Sequence, residues 1–240
     1  MDRNRLKVVR LGVIGGSGVY EMDGVKILRE HGIETPFGSP SDLVVEARVG
    51  ERTLFFIPRH GRSHHLLPSE VNYRANIYAL KQLKVTHLLA VNAVGIMQEQ
   101  IRPGDMVVPD QLFDRTKGVR ASTFFGNGIA GHLAFADPFC QEFSHTVAVS
   151  GENLEARVHR GGTYVCMEGP QFSTRAESKF YRQRVEPAVI GMTALPEAKL
   201  AREAELCYAM LAMGTDYDCW HESEKDVSIE MVIQVLKTNA

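Results

Sequence analysis

The chain has 240 residues, 44% of them apolar and 23% charged. That length and balance fit one large α/β domain with a sizeable buried core, and they exclude wholesale disorder. The 27 Lys and Arg residues are set against 29 Asp and Glu, a net charge of -2. This excludes a protein built mainly to neutralise nucleic acid or to coat an anionic membrane, but not one with a local basic pocket for a single small anion. No apolar run reaches the ~18 residues of a membrane span, and no signal-peptide core follows the charged N-terminus, so the cytoplasm is the expected compartment.

In chain order, apolar strand-like runs alternate with amphipathic segments. Val8 to Ile14 reads as a strand running into Gly15-Gly16-Ser17-Gly18, and Thr53 to Ile57 as a second, ending at Pro58-Arg59-His60-Gly61. Residues 72–84 carry helical spacing, with Ile77, Leu80 and Leu83 near one face. His87 to Val91 reads as a buried strand followed by a loop, Asn92-Ala93-Val94-Gly95. Further strands are expected at 105–108, 163–167 and 207–213, with helices at 197–206 and 227–236; the Gly- and Phe-rich stretch 117–131 reads as a long surface loop. The alternation implies a largely parallel sheet flanked by helices, here taken as one domain over 1–240. Ligands bind such sheets beyond the carboxyl ends of the strands, where the unusual residues collect. The four cysteines, Cys140, Cys166, Cys207 and Cys219, show no C-x-x-C spacing. They read as mostly buried thiols rather than a zinc site or a disulfide framework.

Five segments carry candidate chemistry. Gly15-Gly16-Ser17-Gly18 can turn backbone N–H groups toward an oxyanion, or be a tight turn; it is neither a dinucleotide fingerprint nor a P-loop. Arg59-His60-Gly61-Arg62-Ser63-His64-His65 concentrates cations suited to an anion and hostile to a metal, unless it is a solvated loop. Asn92-Ala93-Val94-Gly95 offers small residues for a flat ligand, or a strand-to-loop turn. Around Glu168-Gly169-Pro170-Gln171-Phe172-Ser173-Thr174, Phe172 can stack on a heterocycle, and Ser173 or Thr174 can cap a helix. Glu168 can accept from sugar hydroxyls or pair with Arg175. In Thr215-Asp216-Tyr217-Asp218-Cys219-Trp220, two carboxylates two residues apart address one ligand, and one of them can hold a proton near neutrality. The alternative there is a helix N-cap. No protein nucleophile is evident, and cleavage of a glycosidic bond by phosphate itself requires none.

Ile14 to Gly18, Thr35-Pro36-Phe37-Gly38, Arg59 to Arg62, Val71 to Asn76, Pro103-Gly104-Asp105, Glu168-Gly169-Pro170, Met192-Thr193 with Pro196-Glu197, and Thr215 to Trp220 together resemble the 5′-methylthioadenosine phosphorylases, a trimeric branch of the purine nucleoside phosphorylases. The resemblance implies a nucleoside phosphorylase-type α/β fold with a central mixed, largely parallel sheet, a homotrimer, and no metal or organic cofactor, phosphate being a co-substrate. It implies that Ser17, Arg59, His60, Asn92, Ala93 and Thr193 hold phosphate and that Met192 lies against the ribose. Phe172 and Ser173 would border the base, Asp216 would protonate or hydrogen-bond N7, Asp218 would hold the 6-amino group, and Tyr217 would be a further substrate-binding residue. His64, Ile229 and, from a neighbouring subunit, His132 would surround the 5′-methylthio end. Asn92 stands where adenine-specific members usually carry Thr, which makes a 6-oxopurine phosphorylase the alternative, with a non-catalytic nucleoside binder a second and a hydrolase using water a third. Gln171 replaces a frequent Arg. Relatives usually carry further helical sequence after the segment 227–236, whereas this sequence ends at Ala240.

Overall fold

The computed structural model describes residues 9–16, 24–153 and 157–221. The sequence expectations at Ser17, Ile229 and the helix 227–236 lie outside these residues. Eleven strands form one mixed sheet among the described residues. Its centre is parallel. Strand β1 (Leu11–Gly15) lies between β4 (Arg52–Pro58) and β5 (His87–Ile96), and β5 pairs along its length with β11 (Cys207–Asp216). These four strands therefore end on the same side of the sheet. One edge is an antiparallel hairpin of β2 (Val25–His31) and β3 (Val44–Val49), with β3 also antiparallel to β4. On the far side, β10 (Val189–Gly191) crosses the end of β5 antiparallel and runs parallel to β9 (Thr163–Met167), which in turn pairs with β7 (Gln111–Arg115). The short strands β6 (Met106–Val108) and β8 (Val158–Arg160) extend the sheet beside β11.

Among the described residues, four helices pack against this sheet. Helix α1 (Tyr73–Gln82) starts at Asn72, whose side chain accepts from the Ala75 N–H, and it buries Ile77 and Leu80 as its spacing predicts. Helix α2 (Gln141–Asn153) buries only Ala148, a face too slight for the sequence to reveal. Helix α3 (Arg175–Arg184) opens with a reciprocal capping box between Thr174 and Glu177. Helix α4 (Ala194–Glu203) begins three residues before the expected start and contains the cis Leu195–Pro196 bond. Tyr164, Tyr208, Ile14, Leu80, Leu88 and Ile96 are among the side chains of one continuous core between the helices and the sheet. No helix among the described residues is long and apolar enough to cross a membrane.

Three expectations need correction. Asn92 to Gly95 are not a loop, because β5 continues to Ile96. Its neighbours on both sides still offer ladder partners there, Ala212 opposite Asn92 and Ile190 opposite Gly95. By the same reasoning β11 runs to Asp216 rather than stopping at Met213. The cysteines are not all thiols: Cys140 and Cys207 form a disulfide across 67 residues, while Cys166 and Cys219 are free. The pairing arises because Cys140, just before α2, lies beside the first residues of β11, where its N–H donates to the Tyr208 carbonyl at 2.8 Å.

Candidate active site at the carboxyl ends of the central strands

Arg59 follows β4 directly, and its N–H donates to the Gly15 carbonyl at 2.9 Å, so the ends of β1 and β4 are tied together. Its side chain is buried. Nε donates to Glu197 Oε2 at 2.7 Å and Nη2 to Oε1 at 3.1 Å, a two-point pairing of fork and carboxylate. Nη2 also reaches the Ile14 carbonyl and Asn92 Oδ1, while Nη1 donates only to the Val91 carbonyl, at 3.3 Å. Burial opposes the charge, but Glu197 outweighs it and keeps the guanidinium ionised. Nη1 thus retains donor capacity for a ligand. Asn92 Nδ2 donates to the Thr193 hydroxyl, so Arg59, Asn92 and Thr193 form one connected cluster contributed by β4, β5 and the residue before α4. Among the described residues, a side chain at Gly16 would meet nothing within 4 Å.

His60 continues the cluster. Its Nδ1 lies 2.8 Å from the Leu66 carbonyl. A carbonyl only accepts, so Nδ1 is the protonated nitrogen and Nε2 is left as an acceptor in the neutral ring. Burial, with Arg59 beside it, lowers the His60 pKa to about 4. The His64 ring stacks on it at 4.5 Å between centroids, and burial lowers the His64 pKa too.

The second half of the site is acidic. Asp216 ends β11 and Asp218 lies in the following turn with φ +52. The pair is therefore not set side by side by strand alternation, as the spacing suggested. A left-handed turn folds the Asp218 N–H back to donate to Asp216 Oδ1 at 2.9 Å. Gly95 on β5 makes room: a Cβ there would sit 3.4 Å from both Asp216 Oδ1 and the Asp218 Cβ, and 3.0 Å from Ile190. Both carboxyl groups are buried, and burial raises both pKa values; the Thr215 hydroxyl opposes the rise at Asp216 and nearby serine hydroxyls oppose it at Asp218. The charge of Asp218 adds to the rise at Asp216 but ranks below burial. The turn is pinned by Trp220, whose Nε1 donates to the Ile96 carbonyl at 2.7 Å, with Arg182 lying 3.4 Å over the indole ring. Tyr217 stacks on His221 at 4.7 Å.

The remaining candidates divide. Ala93 sits on β5 between Asn92 and Val94 and is half-buried. Met192 lies against Gly169, where a Cβ would come within 2.4 Å of its sulfur; Gly169 has φ +69 and precedes the cis bond to Pro170. Ser173 is half-buried, its carbonyl accepting from the Cys219 thiol, and Phe172 stands exposed beside it. Glu168 pairs neither with Arg175 nor with an open face. Its Oε1 accepts from Arg120 Nε at 2.7 Å and its Oε2 from the Lys117 N–H at 2.6 Å. His132 is exposed, and among the described residues it makes no hydrogen bond, ion pair or ring contact. Among the described residues no contact joins His132 to His64.

Two buried residues received no role in the sequence reading. Glu197 and Arg120 are single charges whose partners are 138 and 48 residues away, and no local pattern announces such a pairing. Arg120 enters from the exposed loop after β7 and donates to the Met192 carbonyl at 2.6 Å and the Leu195 carbonyl at 2.7 Å. It thus holds both ends of the segment that carries Thr193.

A sequence model described as the phosphorylase superfamily matches residues 10–240. The S-methyl-5′-thioadenosine phosphorylase of Geobacter sulfurreducens is 57% identical over 95% of this chain and 80% of its own. That of Chloroflexus aurantiacus is 54% identical over 95% of this chain and 79% of its own. Among solved structures, a methylthioadenosine phosphorylase from an antarctic soil metagenomic library superposes with a TM-score of 0.90 at 50% identity, covering 96% of this chain and 81% of the other. Methylthioadenosine phosphorylase from Schistosoma mansoni in complex with adenine gives 0.90 at 40% identity, covering 96% of this chain and 86% of the other.

Proposed function

The chain belongs to the phosphorylase superfamily, and from that premise we propose that it cleaves the N-glycosidic bond of 5′-methylthioadenosine with phosphate, giving adenine and 5-methylthioribose 1-phosphate. The observation that carries this reading is the placement of two unlike polar groups at one end of four parallel strands: the Arg59–Asn92–Thr193 cluster and the Asp216–Asp218 pair. Phosphate lies at the first, held by Arg59 Nη1, His60, Asn92, Ala93 and Thr193 and, outside the described residues, Ser17. The purine lies at the second, bordered by Phe172, Ser173 and Tyr217, with the ribose against Met192. As phosphate oxygen bonds to the anomeric carbon, the glycosidic electrons leave with the base. Asp216 delivers a proton to N7, and Asp218 accepts from the 6-amino group. A carboxyl raised by burial holds its proton closer to neutrality, which suits this transfer.

Asn92 bears on the choice of purine. Its amide is committed to Arg59 and Thr193 at the oxyanion end, so base discrimination rests with Asp216 and Asp218. The reaction in this reading uses no metal or organic cofactor. We further place the chain in a homotrimer: Val119, Ile129 and Leu133 stand exposed on the loop that also carries His132, and a neighbouring copy there covers them while bringing His132 to a second site. The cytoplasm is its proposed location; a disulfide is unusual there, and Cys140–Cys207 is the feature this placement must accommodate.

The test is product formation from methylthioadenosine, methylthioinosine, adenosine and inosine, each with and without phosphate. Phosphate-dependent adenine release, fastest with the methylthio substrate, is expected. Preference for the inosine pair overturns the base assignment. Turnover without phosphate identifies a hydrolase, and tight binding without turnover a sensor.

A further inference from the structure

Thr215 is fully enclosed and lies between two acceptors. Its Oγ1 is 2.6 Å from Asp216 Oδ2 and 3.2 Å from the Val94 carbonyl on β5. A hydroxyl has one proton and can donate to only one of these at a time. Which one it chooses depends on Asp216. Oδ1 of that carboxyl already accepts the Asp218 N–H at 2.9 Å, so the acidic proton resides on Oδ2, the oxygen touching Thr215.

We propose that Thr215 is a positioning residue for the glycosidic cleavage, its hydroxyl turning from the Val94 carbonyl to Asp216 Oδ2 as that carboxyl gives its proton to the departing base. This rests on the reading of Asp216 as the proton donor. Before the transfer, the Oδ2 proton points to N7, and Thr215 directs its own to the Val94 carbonyl without bonding Asp216. During the transfer the Oδ2–H bond breaks, the N7–H bond forms, and the glycosidic electron pair stays on the neutral adenine. Oδ2 is then a full carboxylate oxygen, and the Thr215 O–H swings onto it. The bond to the ionised carboxylate is the stronger of the two, so Thr215 stabilises the products of proton transfer more than the reactants. No group has to travel, since both acceptors are already within reach of one rotor.

Gly95 on β5 lies against the carboxyl without a charge, and Asp218 is the titratable neighbour acting on it. The Asp218 N–H donates to Oδ1 in both protonation states and therefore does not distinguish them.

The experiment compares the intact enzyme with Thr215→Val, Thr215→Ala and Thr215→Ser in phosphorolysis of methylthioadenosine, measuring kcat and KM from pH 5 to 9 together with Tm. Loss of the hydroxyl is expected to lower kcat about tenfold with KM within about twofold. It also removes a donor to the ionised carboxyl, so the basic limb of kcat moves to higher pH. Thr215→Ser, which keeps the rotor, is expected to restore both rate and limb. An unmoved basic limb in Thr215→Val and Thr215→Ala, or a Thr215→Ser variant as slow as they are, overturns the proposal in favour of a purely structural Thr. Asp216→Asn is run alongside. Full activity in that variant overturns the proton-donor reading itself, a result distinct from any failure confined to Thr215.

Discussion

Glu197, the fourth residue of α4, aims both carboxylate oxygens at Arg59, 138 residues earlier in the chain, and its Oε1 also accepts from the Tyr208 hydroxyl at 2.9 Å. The carboxylate is wholly buried and paired, so its function is to fix the direction of a cation rather than to meet solvent. Glu197→Gln keeps the shape and removes the charge. Breaking a buried pair costs about 3–5 kcal/mol of stability. The guanidinium then turns toward other acceptors, and KM for phosphate is expected to rise at least about tenfold, more than KM for the nucleoside. Phosphate titrations of initial rate, paired with thermal unfolding, check both. An unchanged phosphate KM in a folded variant removes Glu197 from the oxyanion site.

Asp216→Asn replaces a proton donor by an amide that can donate to a purine carbonyl. Activity on methylthioadenosine is expected to fall about 100-fold, and the ratio of inosine to adenosine turnover to rise. The ratio is the decisive readout, because a general loss of folding leaves it unchanged.

His60 makes stability depend on pH. Its folded pKa of about 4 lies below the ordinary 6.5, so the unfolded chain takes up a proton that the folded chain refuses. The stability is fully present above the ordinary value and is lost as pH falls toward the folded one, by about 3 kcal/mol at the limit. Asp216 and Asp218, raised by burial, work in the opposite sense over the acidic range. The comparison is therefore between the chain and His60→Gln. Urea unfolding between pH 4 and 7 should show a shallower acid loss in the variant; parallel curves refute the assignment.

The Cys140–Cys207 bond closes a long loop, since the two residues are 67 apart. Chain-entropy arguments give such a crosslink about 2–4 kcal/mol. For a chain of this size that corresponds to a fall in Tm of about 10 °C on reduction or in Cys140→Ser. Phosphorolysis at room temperature should be unaffected, because the bond joins the starts of α2 and β11, at the opposite end of β11 from Asp216.

How much of this was legible in the sequence follows from the range of each interaction. The strand-end motifs were readable because Gly15-Gly16, Arg59-His60 and Asp216-Asp218 are local and chemically conspicuous. The extent of β5 was not, because Asn92 to Gly95 look like a turn until β10 and β11 are placed beside them. Glu197, Arg120 and the disulfide are pairings between distant residues. The sequence shows one partner at a time: for Glu168 it offered sugar hydroxyls or the nearby Arg175, and the partner it meets is Arg120. Conversely, a cap at Ser173 or Thr174 was readable because a helix cap is local, and Thr174 fills it with Glu177 in a capping box.

Arg120 joins a surface to an interior. It belongs to the same loop as exposed Val119, Ile129 and Leu133, yet its guanidinium grips the carbonyls of Met192 and Leu195 on either side of Thr193. Whatever settles that loop also settles the oxyanion end, and by thermodynamic reciprocity an anion bound there settles the loop. In the proposed reading, a second copy docking on the loop and a phosphate entering the cluster reinforce each other. Subunit association should tighten at high phosphate, and affinity for phosphate should fall on dilution.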